Sequence, residues 1–443
     1  MKRLIFIGIL LLAGIVAGAQ EYEAHFTDST LRLDYIFCGD ATHQAIYLKG
    51  MQKTGLWAGR RKQLDRIPLQ GNGQLYVKDP ETGKVLYAHS FSTLFQEWVG
   101  YPEAHQVQKA FENCFQIPFP KSPVRVEIRL TDAHGRESAR ITHPVDPADI
   151  LIRRVSDNGA RCETLSQGGG LAEAIDIVIL SEGYTSAEEE KFFADARRAQ
   201  AALLAHEPFC SNASAFSFRA VYLPSKDSGP SIPHRGQWHS TLVSSHFDTF
   251  YSDRYITSSD QQQIYDALGT VPFEQIIVMV NTPVYGGGGI YNSLTIMVSD
   301  HPTFPQVLVH EFGHAFGGLG DEYFYDDMDE PVYPAGVEPW EPNLTTLTDF
   351  ASKWQDMLPA GTPIPTPVDT IETQADVRRV WNDLSEEQKH RLTHALGVYE
   401  GGGYQSKGVF RPVQECRMKM NECEDFCPVC TRAIQRIIDF YTR

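Results

Sequence analysis

Basic side chains are in short supply. The 443 residues carry 39 Lys and Arg against 56 Asp and Glu, a formal net charge of -17 at pH 7. Nothing in that balance supplies the basic footprint that phosphate binding needs, which argues against nucleic acid and against an anionic membrane surface as partners. Long apolar runs are missing beyond the first twenty residues, so no transmembrane span is expected in the mature chain. The glycine run in Tyr285-Gly286-Gly287-Gly288-Gly289-Ile290 fits neither a P-loop nor a dinucleotide fingerprint. No Ser, His and Asp set has nucleophile-elbow spacing, so covalent catalysis has no support.

What is present begins with a targeting segment. Lys2 and Arg3 form a basic start, Leu4 to Val16 an apolar core, and Ala17-Gly18-Ala19 a small-residue cleavage site. Residues 1–19 are therefore expected to be removed and the protein to be secreted, periplasmic or held at the cell surface. About 420 residues remain, enough for two or three domains with substantial cores. Eight cysteines divide into four widely spaced and four close together, Cys416, Cys423, Cys427 and Cys430. In an exported chain, disulfides among the last four are the expectation. Cys427-Pro-Val-Cys430 also invites a metal or redox reading, but it has no second CxxC to complete it.

Residues 20–160 read as a β-rich domain. Leu31, Leu33, Tyr35 and Phe37 alternate, as do Val124, Val126, Ile128 and Leu130 against Arg125, Glu127 and Arg129, the mark of a sheet with one wet side. Two strands flanking Asp79-Pro80-Glu81-Thr82-Gly83 read as a hairpin. An antiparallel sandwich is expected, with a positioning or binding role, because no cluster of ligands or nucleophiles falls within it. From residue 161 to 443 the style changes. Strands are predicted at Ile175–Leu180, Phe216–Leu223, Ile276–Val280 and Leu294–Val298, with a helix from Ser186 to about Leu204, the pattern of an α/β sheet. The fold class is thus α+β multidomain. The glycines at 287–289 are either a plain flexible loop or a place where extended backbone can approach a peptide substrate. The acidic run Asp326, Asp327, Asp329 and Glu330 reads as a solvated face, in preference to a calcium site.

The chemistry lies in Val309 to Tyr323, VHEFGHAFGGLGDEY. On a helix, His310 and His314 project from one face a turn apart, so two imidazoles can reach one metal ion. Glu311 lies beside them, placed to accept a proton from water. Thr303 and Gln306 have capping-box spacing, Pro305 opens the helix, and Leu308, Phe312 and Ala315 form its apolar stripe. Gly317, Gly318 and Gly320 end it. Asp321 and Glu322 follow where a third ligand could return.

HEFGHAFGGLGDEY, with Tyr285-Gly-Gly-Gly-Gly-Ile290 before it and Phe410-Arg411-Pro412, Cys416-Arg-Met418 and Phe426-Cys-Pro-Val-Cys430 after it, resembles the immunoglobulin-A metallopeptidase family of metzincin-like zinc endopeptidases. The β region is similar to that family's N-terminal domain. The resemblance implies one catalytic Zn2+ held by His310 and His314, Glu311 as general base, and Met418 in the methionine turn beneath the metal. The general metzincin pattern puts the third ligand where Gly320 stands. Asp321, one residue later, is the choice here, Glu322 the runner-up, and Glu386 or Glu387 more distant options. Tyr404 and Arg411 are candidates to steady charge on the tetrahedral oxygen, and Gly287, Gly288 and Gly289 to line the substrate path. The implied partner is a protein or peptide, with a host glycoprotein such as immunoglobulin within the class. Two rival functions share the sequence: an exported binding protein on the same fold without turnover, and a metallohydrolase of non-peptide esters or amides.

Overall fold

The computed structural model describes residues 21–326, 331–368 and 374–443, so the expected leader and the acidic residues Asp327, Asp329 and Glu330 lie outside the described residues. The first unit is two four-stranded sheets. One runs in the order Lys109–Pro120, Phe26–Gly39, Gln44–Leu56, Arg153–Arg154, the other Val85–Phe91, Gly73–Lys78, Val124–Thr131, Glu137–Val145. All neighbours are antiparallel except the short Arg153–Arg154 strand. The period-two alternation decides which faces meet: Leu31, Leu33, Tyr35 and Phe37 from one sheet and Leu75, Val77, Val126 and Ile128 from the other share one apolar core. The predicted hairpin forms, its turn held by Asp79 Oδ1 accepting from the backbone N–H of Glu81 and Thr82.

The outer face of the Phe26–Gly39 strand is not wet, contrary to the alternation argument. A helix of the second unit, Gln261–Leu268, covers it. Arg32 is buried there and is satisfied by Asp34 (2.5 Å), Asp266 (2.6 Å) and the carbonyl of Gln262 (3.1 Å). The two units are also stitched near the glycine run, where Ser92 N–H donates to Tyr291 O (2.9 Å) and Asn292 Nδ2 to Ser90 O (2.9 Å).

The second unit centres on a six-stranded sheet ordered Gly287–Ile290, Leu294–Val298, Gln275–Val280, Ile175–Glu182, Phe216–Tyr222, Arg161–Ser166. The inner four strands are parallel, buried almost throughout and mostly apolar, as strands covered on both faces tend to be, while both edges are antiparallel. The helices Glu189–Leu204, Phe304–Ala315 and Pro428–Thr442 share its core. A small sheet of Phe324–Tyr325, Tyr404–Arg411 and Tyr399–Gly402 lies beyond the second of these helices. Among the described residues no helix is long and apolar enough to cross a membrane.

Local signals were displaced by a residue or so. The capping box before Glu189–Leu204 is Thr185 with Glu188 on a preceding 3-10 turn, not Ser186 with Glu189. The box at Ser385 and Gln388 forms as expected. Thr303 makes no capping bond, because its hydroxyl pairs with His301 Nδ1 instead (2.8 Å).

Candidate metal centre

Helix Phe304–Ala315 starts with Pro305 in its first turn and buries Leu308, Phe312 and Ala315 against the sheet. That orientation leaves His310 and His314 half-buried on its opposite side. Each ring is aimed by a backbone carbonyl: His310 Nδ1 donates to Arg417 O (3.0 Å) and His314 Nδ1 to Leu319 O (2.6 Å). With the Nδ1 protons so used, both Nε2 atoms present lone pairs to the same point, 3.1 Å apart.

Gly318, at φ +60°, turns the chain back beneath the helix. Asp321 thereby arrives with Oδ1 at 3.1 Å from His310 Nε2 and 3.3 Å from His314 Nε2. This oxygen is buried and accepts no hydrogen bond among the described residues. Three lone-pair donors facing one another repel unless a proton or a metal ion joins them, and two imidazoles with one carboxylate are a zinc donor set. The other carboxylate oxygen, Oδ2, accepts from Tyr404 OH (2.5 Å), and Asp321 O accepts from Gly403 N–H (2.7 Å). Tyr404 itself sits at φ +68°, an unusual conformation for a tyrosine and one found where function constrains backbone.

Burial alone would push the imidazolium of His314 down, but the Asp321 carboxylate reverses this and raises its pKa to about 9 in the absence of metal. Burial likewise opposes ionisation of Asp321, yet the two imidazoles hold its carboxyl far below the usual range. For Glu311, burial dominates and pushes the carboxyl up, while His310 and His314 pull the other way.

The glycine run is neither a flexible loop nor free of contacts. Gly287–Ile290 is the edge strand of the large sheet and packs on the metal helix. A Cβ at Gly287 would lie 3.0 Å from Glu311 Cγ, and one at Gly289 would lie 2.1 Å from Glu311 O. Gly288 faces Tyr255 and Ile256. Met418 is fully buried under the same helix, with its sulfur 2.9 Å from where a Cβ on Gly313 would stand.

Several candidates lie elsewhere. Glu322 points away from the histidines towards Cys416, Cys427 and Cys430. Glu386 and Glu387 are exposed on a distant helix, Glu386 paired with Lys389. Arg411 is buried, but its donors go to the carbonyls of Glu400, Gly401 and Gln414, so it braces the small sheet. The expected disulfides are absent: all eight cysteines are free thiols. Three of the last four converge on one carboxylate, and Cys423 packs apart from them with Met420 and Trp381.

Sequence reasoning missed one carboxylate altogether. Glu97, from helix Leu94–Trp98 of the first unit, reaches the edge of the site and accepts from Tyr255 OH (2.6 Å). Burial is the main cause that raises its pKa to about 7, against the bond from Tyr255, and it lies within the electrostatic reach of His314, Asp321 and Glu311. No local motif marks it. The β unit, expected to position or bind and to hold no cluster of ligands, thus brings one carboxylate to the edge of the site.

Residues 164–438 match the family described as IgA Peptidase M64, and residues 21–142 match the one described as Peptidase M64 N-terminus. Among curated proteins, none matches the chain. The two matches follow each other in the order of the two structural units and take in nearly the whole length, including His310, Glu311, His314 and Asp321. This chain belongs to the IgA peptidase M64 family.

Proposed function

We propose that this protein is an exported zinc endopeptidase in which His310, His314 and Asp321 hold the ion and Glu311 is the general base. Family membership implies a peptidase, a metal and a protein or peptide substrate. The observation that carries the finer reading is the convergence of His310 Nε2, His314 Nε2 and Asp321 Oδ1 on one point, with Glu311 beside it.

Zinc bound there would polarise the scissile carbonyl and bring the pKa of water towards about 7. Glu311, raised by burial, is suited to take a proton from the attacking water and pass it to the leaving amine. Tyr404 holds Asp321 in place through Oδ2. The strand Gly287–Ile290, an edge strand flush against Glu311, supports a substrate laid along the sheet edge beside the base. Met418, packed under the helix, supports the metzincin likeness. The leader supports export to the periplasm, cell surface or medium.

The test is a digest of mixed polypeptides, immunoglobulin among them, with and without chelator and beside Glu311→Ala. The wild type is expected to cleave internal bonds, zinc to restore the chelated enzyme, and the variant to bind metal without turnover. Equal cleavage by the variant and the wild type would reject Glu311 as base. Hydrolysis of small esters without any peptide cleavage would favour the non-peptide hydrolase, and metal binding with no turnover the binding protein.

A further inference from the structure

Glu322, Cys416, Cys427 and Cys430 form a second cluster, whose potential ligand atoms all lie within 4.8 Å of one another. All four residues are fully buried. Cys416 Sγ stands 3.9 Å from Cys430 Sγ and accepts from Cys427 N–H (3.3 Å). Glu322 Oε1 accepts from Asn343 Nδ2 (2.9 Å) and from Cys430 Sγ (3.1 Å). Its other oxygen, Oε2, is buried and has no hydrogen-bond partner among the described residues. A carboxylate left half-satisfied in a dry interior among three thiols is unfavourable as plain packing.

We propose that these residues bind a second zinc ion, a structural one. Three sulfurs and one oxygen make a closed four-donor set, soft enough to select zinc over calcium or magnesium and with no position left for substrate. Cys427 and Cys430 have the two-residue spacing of a zinc knuckle. They sit at the N-terminus of helix Pro428–Thr442, whose dipole favours thiolate. Each thiol gives up its proton on ligation, so loading releases protons and weakens as pH falls.

Such an ion would tie three segments together under the first site. Glu322 is the neighbour of Asp321, and its N–H donates to Met418 O (2.8 Å). Cys416 precedes Arg417, whose carbonyl aims His310, and Met418, which packs under Gly313. The second ion is therefore a positioning element for the first. Its existence does not depend on the peptidase reading; only its effect on turnover does.

The experiment is metal analysis and zinc-edge X-ray absorption on the full chain, loaded with zinc and freed of loosely bound metal, beside a His310→Ala/His314→Ala variant and a Cys427→Ser/Cys430→Ser variant. The wild type is expected to hold two ions per chain, one for each cluster, with a sulfur shell at about 2.3 Å. The histidine variant should keep one ion with a shell dominated by sulfur, and the cysteine variant, if it folds, should lose the sulfur signal. The histidine variant leaves the second cluster intact, so the test survives a misfolded cysteine variant. One ion in the wild type and none in the histidine variant, no sulfur shell, or a disulfide among Cys416, Cys427 and Cys430 in the intact mass would each overturn the proposal. Failure of the first site instead would show as sulfur-bound zinc in every sample except the cysteine variant, with no histidine shell.

Discussion

The closest packing around the metal helix involves backbone, which makes it a sharp place to perturb. A Cβ on Gly289 would stand 2.1 Å from Glu311 O, 2.9 Å from Glu311 C and 3.0 Å from His314 Cβ. None of these atoms is the loose end of a side chain, so Gly289→Ala must push the edge strand off the helix or bend the helix. Overpacking of this kind costs about 1–3 kcal/mol where neighbours can relax, and a clash with helix backbone places it at the upper end. For a unit of this size, about 2–3 kcal/mol lowers Tm by roughly 5–10 °C. The same shift displaces Glu311, so turnover should fall by more than tenfold even in the fraction that stays folded. Gly287→Ala meets Glu311 Cγ at 3.0 Å and Oε1 at 3.1 Å, side-chain atoms that can swing, so it should cost less stability while still moving Glu311. Gly50→Ala, with nothing within 4 Å in the first unit, is the control and should leave both unchanged. Thermal unfolding of the zinc-loaded variants, beside cleavage rates, reads the order. If Gly289→Ala unfolds with the wild type and cleaves as well, the strand does not pack on the helix as described.

Other outcomes follow from the same geometry. Tyr404→Phe removes the donor to Asp321 Oδ2, so zinc affinity measured against a competing chelator should fall by about 10–100-fold, and unchanged affinity would remove the tyrosine from any role in holding the ligand. Arg32→Ala strands buried Asp34 at the contact between the units and should cost about 3–5 kcal/mol in urea unfolding; a loss under 1 kcal/mol would show that water repairs the site. Glu274 is held largely neutral because burial, reinforced by Asp176, raises its pKa to about 8. A carboxyl raised on folding contributes stability below its unfolded value of 4.5 and loses it as pH climbs through about 8, so Tm should decline across that window and Glu274→Gln should flatten the decline. An identical slope in the variant would assign the loss across that window to other groups.

The part of the site that a sequence can disclose is the part written in one local register. His310, Glu311 and His314 share a helix, and Asp321 follows within a glycine turn, so spacing alone brings them together. The strands were legible for the same reason, since burial on one face or both imposes a period or an unbroken apolar run. Whatever depends on a distant segment was not. Arg411 offers the right chemistry for an oxyanion, but only the fold shows that backbone carbonyls have taken its donors. Glu322 was weighed against Asp321 for one metal, when adjacent residues on an extended turn face opposite sides. That alternation sends Glu322 to the cysteines and leaves Asp321 with the histidines. Disulfides were expected from compartment and count, and neither of those carries the information that a carboxylate far upstream in the chain completes the cluster.

The same dependence on distant contacts gives the first unit a reason to exist beside the second. Its apolar core is built almost wholly from its own residues, with Phe250 of the second unit packed against it. Yet helix Leu94–Trp98 delivers Glu97 to Tyr255, and Tyr255 pairs with Gly287 across the outer edge of the glycine strand. The strand is thus fixed from two sides, by the metal helix through Glu311 and by the first unit through Tyr255. Glu97→Gln keeps the shape and removes the charge. If the first unit positions the substrate strand, KM should rise with kcat nearly unchanged and with zinc content intact. A loss confined to kcat would instead place Glu97 in the proton chemistry beside Glu311.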